Sequence, residues 1–188
     1  MDHIVGAART PRTRWVSEGL AVLAESGIDA VRVEVLAKRI GVSKGGFYGY
    51  FADRDALLTA MLDDWETRAV AKVLAQVAET GDPKVKARQA GMLTFSGDLL
   101  PIDLAIRAWA RRDEAVAARL RRVDNARMAL LRETIGQIVD DPDEIEARSL
   151  LAFCGIIGVH FLAADHGGRD RADVLARAAD LLFDPTDR

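Results

Sequence analysis

The stretch that most constrains the fold is VEVLAKRIGVSKGGFYGYF, residues 33–51, which reads as two short helices joined by a tight turn. Val33, Leu36, Ala37 and Ile40 recur at three- and four-residue spacing and so share one helical face. Gly41, after the last of them, can take the left-handed conformation that closes a helix. Val42 supplies an apolar plug for the turn, and Ser43 is a suitable N-cap for the next helix. That helix is expected over Lys44–Phe51, with Phe47 and Phe51 turned inward at a spacing of four.

The outer surface of this second helix would then carry Lys44, Gly45, Tyr48 and Gly49, with Tyr50 near the edge. Each interior glycine costs roughly 1 kcal/mol relative to alanine, so stability alone does not select such a surface. Close approach to a rod-like polyanion would. Glycines admit the backbone, lysine meets phosphate, and tyrosine hydroxyls bond phosphate while their rings contact thymine methyls or sugars. Tyr48 and Tyr50 are the only tyrosines in the chain. The competing reading is a tight helix pair with ordinary core aromatics.

The order V-x-x-L-A-x-x-x-GVSKG-x-(F/L)-Y-x-YF-x-x-(K/R)-x-x-LL, here Val33, Leu36, Ala37, GVSKGGFYGYF, Arg54, Leu57 and Leu58, resembles the DNA-binding domain of the TetR family of one-component transcriptional repressors. The resemblance covers about the first third of the chain. Arg32 stands where that family usually has a capping threonine or serine, which leaves Asp29 as the candidate cap, and Gly46 stands where threonine or alanine is commoner. The resemblance implies a DNA-contacting set of Val42, Ser43, Lys44, Gly45, Gly46, Tyr48, Gly49, Tyr50 and Arg54. Arg9, Arg12 and Arg14 form a small basic arm ahead of it, either on phosphate (Arg12 the candidate) or simply solvated.

Composition excludes little. With 49% hydrophobic and 29% charged residues in 188, this is an ordinary globular chain, and a net charge of −3 argues against indiscriminate nucleic-acid binding. Residues 1–60 hold eight Lys/Arg against seven Asp/Glu, so the basic bias of the first third is slight. The single cysteine, Cys154, excludes an intrachain disulfide and a cysteine-rich metal site. MDHIVGAARTPR lacks a signal-peptide core, and Leu150–Ala164, broken by glycines and His160, is short for a membrane span. A cytoplasmic protein with no membrane association is expected.

Along the chain, Thr10-Pro11 reads as the cap and first position of a helix that Gly27 ends, its stripe being Trp15, Val16, Leu20, Val22 and Leu23. Asp53 caps a long helix running from Arg54 toward Gly81. Further helices are expected near 84–97, 101–111, 113–139, 143–165 and 170–183, each of the first, second and fourth introduced by a proline. No strand, repeat or low-complexity tract interrupts them. The chain is therefore all-α: an N-terminal three-helix helix-turn-helix domain over residues 1–53 and a C-terminal helical bundle for ligand binding and dimerisation over 54–188.

Bulky apolar residues of the second part serve a plain core or a pocket. The family resemblance implies an effector pocket there, with Met92, Phe95, Trp109, Met128, Phe153 and His160 as candidates and a largely apolar small molecule as ligand. His160 and His166 lie six apart, which is not a metal-pair spacing, and no nucleophile elbow, metalloprotease helix, P-loop or dinucleotide fingerprint is present. Neither cofactor, metal nor catalysis is expected. Residues 150–164 are apolar nearly all round, with Val174, Leu175, Ala178, Leu181, Leu182 and Phe183 as a companion stripe. A homodimer through the last two helices follows, which would set two reading helices ~34–36 Å apart, or a multiple, on a palindromic operator. The expected function is a ligand-responsive repressor; the alternative is an α-helical small-molecule-binding or catalytic protein whose helix pair is only structural.

Overall fold

The computed structural model describes residues 11–78 and 99–183, the side chains of 71–78 excepted. The expected helix near 84–97, and Met92 and Phe95 with it, lies outside the described residues. Every regular element among those described is helical: α1 (Arg12–Ser26), a 3-10 turn (Ile28–Ala30), α2 (Val33–Ile40), α3 (Gly45–Tyr48), α4 (Arg54–Ala78), α5 (Leu99–Ala110), α6 (Glu114–Ile135), α7 (Pro142–Gly158) and α8 (Arg171–Phe183).

Several helix ends differ from the sequence expectation. Pro11 is the N-cap of α1 rather than its first residue: its backbone is extended and its carbonyl accepts the N–H of Arg14 at 3.0 Å. α3 is shorter than 44–51. Lys44, not Ser43, stands at its N-cap with no side-chain cap bond, while the Ser43 carbonyl accepts from Gly46 N–H. Asp29 does not cap α2 either; Arg32 occupies that position uncapped, and its Nε instead donates to the Asp29 carbonyl at 3.0 Å. Gly136 follows the end of α6, where the chain tightens into three-residue turns that bond Gln137 to Thr134 and Ile138 to Ile135. α7 stops at Gly158 rather than near 165, and Arg171 Nη2 donates to the carbonyls of Val159 and Leu162, satisfying acceptors the helix leaves open. His160 and Phe161 consequently lie beyond the helix and are exposed. Asp141 does cap α7, accepting from Asp143 N–H at 2.9 Å with Pro142 at the first position.

The chain divides into two compact units, residues 1–66 with 100–120, and 67–99 with 121–188. In the first, Trp15, Leu20, Leu23, Leu36, Phe47, Leu57, Met61 and Trp65 are essentially sealed from solvent. α1 and α4 meet closely at Gly19, where an added Cβ would stand 2.6 Å from Met61 Sδ. Asp103 of α5 is fully buried, and its carboxylate accepts from Trp65 Nε1 of α4 and from Arg107 Nε, each at 3.1 Å. A buried carboxylate requires such partners, since leaving a desolvated charge unbonded costs several kcal/mol. In the second unit Val123, Leu131, Ile135, Ala152, Phe153 and Phe183 are buried. Arg148 joins α7 to α8 there, taking Glu144 on one side and the Leu182 carbonyl on the other.

Candidate nucleic-acid interface

The helix pair is fixed from behind by apolar contact and from the side by charge. Trp15 of α1 meets the Phe47 ring edge-on with centroids 5.3 Å apart, and Phe47 stacks on Phe51 at the same separation. Gly41 adopts φ 79° and ψ 33°, the left-handed closure expected of it, and its N–H and that of Val42 both reach the Ala37 carbonyl at 3.0 Å. Arg39 of α2 forks onto Glu25 of α1 at 2.7 and 3.0 Å and bonds Glu18 at 3.2 Å. The Arg39 hydrogen bond holds the Glu25 carboxyl below the usual range. The aromatic stripe was legible in sequence; this Arg39 fork was not, because its acceptors lie 14 and 21 residues away.

What α3 turns outward is a small, open surface. Tyr48 is 62% exposed with its ring edge-on to Phe47, and Ser43, Lys44, Gly45, Gly46 and Gly49 are exposed, while Val42 and Tyr50 are half-buried. None of the three glycines has a positive φ. A Cβ at Gly45 would meet nothing nearer than Ser43 Oγ at 3.7 Å, and one at Gly46 nothing nearer than Trp15 Cζ2 at 3.9 Å, both ordinary contacts. Alanine would fit at either site and would favour the helix. Neither backbone geometry nor internal packing therefore accounts for the glycines at 45 and 46.

The cations around this surface are engaged within the chain. Lys44 Nζ lies 2.6 Å from Glu34 Oε1 of α2, both side chains being more than half exposed, and this bond depresses the Glu34 carboxyl. Arg12 places its guanidinium 4.9 Å over the Phe51 ring. Arg54, at the start of α4 behind its Asp53 cap, donates from Nε to the Val31 carbonyl at 2.6 Å and from Nη2 to the Ile28 carbonyl at 2.8 Å. The position that the resemblance assigns to phosphate thus braces the loop before α2. Glu34, absent from the sequence-based set, joins the interface through Lys44.

Four of the six effector candidates lie among the described residues. Trp109 is buried and lines a groove of about 440 Å³ between the end of α1 and α5, bounded by Leu23, Ala24, Ile28, Leu104 and Arg112 among others. Met128, Phe153 and His160 do not line it. Phe153 is buried, Met128 half-buried and His160 exposed.

Comparison with known proteins bears on the first of these two sites. The family described as bacterial regulatory proteins, tetR family, matches residues 16–61, from the first buried turn of α1 into α4. The helix-turn-helix segment is thus similar to that of the TetR family. A curated relative, an uncharacterized HTH-type transcriptional regulator, YuxN of Bacillus subtilis strain 168, is 28% identical over 74 residues, which are 39% of this chain and 25% of the relative. The match spans about a quarter of that relative's length. Two solved structures extend the fold over almost the whole chain. A transcriptional regulator from Rhodococcus sp. Rha1 is 24% identical with a TM-score of 0.69, covering 93% of this chain and 94% of that one. AibR, in complex with isovaleryl coenzyme A and operator DNA, is 14% identical with a TM-score of 0.69 and covers 93% and 98%. These two structures therefore share the fold of both parts of the chain, the helix-turn-helix and the helices that follow.

Proposed function

We propose that the chain is a ligand-responsive, DNA-binding transcriptional regulator, a repressor that leaves a palindromic operator when a small molecule binds. Its carrying observation is the exposed α3 surface, where Gly45 and Gly46 have room for a side chain and Tyr48 is largely open to solvent. Such a surface has no use inside the monomer and suits a groove whose walls are phosphate. Residues 1–53 read DNA through Arg12, Val42, Ser43, Lys44, Gly45, Gly46, Tyr48, Gly49, Tyr50 and Arg54, and residues 54–188 bind the effector and pair the subunits. AibR, alike in fold, binds both an acyl thioester of coenzyme A and operator DNA, which supports an effector for this chain too. Met92, Phe95, Trp109, Met128, Phe153 and His160 remain the residues assigned to that ligand.

Pairing through the last two helices is supported by what the chain leaves uncovered. Among the described residues, the exposed large apolar side chains other than Val35 and Tyr48 are Leu150, Leu151, Phe161, Leu162, Leu175 and Leu181. Burial against a second copy removes that surface from water.

Genomic fragments retained by the purified protein provide the operator. On that duplex, Tyr48→Ala and Lys44→Ala each weaken binding about tenfold, and Lys44→Ala lowers the salt slope by about 0.9. Circular dichroism and sedimentation stay as in the wild type. Unchanged titration curves for both variants would remove α3 as the reader.

A further inference from the structure

The groove beside Trp109 lies apart from the reading surface. Its walls are aliphatic and aromatic, from Leu23 and Ile28 on one side and Leu104 and Trp109 on the other, and its volume of about 440 Å³ falls in the range of small-molecule sites. One cation, Arg112, stands among these apolar residues. Its partner there is Asp29 at 3.7 Å, beyond hydrogen-bond distance, and both side chains are mostly in water. An exposed pair at that separation is readily exchanged for a better acceptor. A carboxylate offers one, since it meets the guanidinium fork with two parallel bonds.

We propose that this groove binds a small amphipathic carboxylate, its chain along Leu23, Ile28, Leu104 and Trp109 and its head on Arg112. The groove is also part of the reading domain, which supplies Leu23, Ala24, Gly27 and Ile28 to its wall. Ile28 lines it, and the Ile28 carbonyl is an acceptor for Arg54 at the start of α4, in the turn that leads into α2. A ligand that favours one setting of this turn over another shifts DNA affinity by that difference in its own affinity. This second step rests on the regulator reading; the binding does not.

Equilibrium dialysis of labelled octanoate against the full chain tests the site, with octanol as the uncharged probe. Saturable binding of one octanoate per chain is expected. Arg112→Gln weakens it about tenfold or more, the scale of a charge-assisted bond, and Ala108→Trp, an exposed position on the groove wall, abolishes it with helicity retained. Octanol binds much more weakly. No saturable binding to the wild type, equal binding by both variants, or equal binding of octanol would each overturn the site. Repeating the operator titration with octanoate separates the two steps. A changed DNA affinity in the wild type but not in Arg112→Gln supports the coupling, and an unchanged one overturns it while leaving the site. A protein that binds octanoate but no duplex would refute the regulator reading alone.

Discussion

The helix-turn-helix and the last two helices solve the problem of apolar surface in opposite ways. Between α1 and α4 the chain covers its own large side chains: Trp15, Phe47, Leu57 and Met61 are all without solvent contact. In α7 and α8 burial is confined to Arg148, Ser149, Ala152, Phe153 and Phe183, while Leu151 and Leu181 are 59% and 68% exposed. Around α3 the first region shows water polar side chains, Tyr48 and bare backbone; α7 and α8 show it four leucines, Leu150, Leu151, Leu175 and Leu181. The contrast separates two kinds of unmet demand. A surface of glycine, lysine and tyrosine fits a hydrated polyanion, and a surface of leucine fits another apolar surface.

Three variants probe this contrast, in falling order of effect. Trp15→Ala should cost the folded chain about 3–5 kcal/mol in chemical denaturation, the usual loss for a buried tryptophan; a loss below about 1 kcal/mol would mean that the first region is not self-sufficient. Leu151→Glu combined with Leu181→Glu should weaken self-association by about 2 kcal/mol or more in sedimentation equilibrium, the threshold of an interface hot spot. Because both leucines are exposed, the fold should survive, and an undisturbed dimer would place the interface elsewhere. Gly46→Ala is the subtlest and the most informative. It should stabilise the chain by about 0.5–1 kcal/mol and still weaken operator binding. A variant both more stable and equally competent on DNA would leave the glycine without a purpose.

Much of this was legible in the sequence, and the limits are physical. The helix pair was readable because Leu36, Ala37, Ile40, Phe47 and Phe51 sit at helical spacing around a glycine that closes the first helix, all local signals. All five are buried. Helix ends were less readable, because they depend on partners far along the chain. α7 meets Arg171, 13 residues after its last turn, and no local pattern announces that the Val159 and Leu162 carbonyls will be taken there. Arg54 teaches the same lesson at the interface. Its place after Asp53 marked it as a helix-start cation, but its acceptors are carbonyls 23 and 26 residues back. The division at residue 53 follows the motif, whereas the compact unit around the motif also takes in residues 100–120.

The bond between Lys44 and Glu34 gives the reading surface a resting state. An ammonium already satisfied gains from a phosphate only the difference between two anionic partners, and the displaced carboxylate is left facing a second negative charge. On the regulator reading, a duplex that reaches Tyr48 and the glycine backbone at the same moment adds contacts that offset this cost.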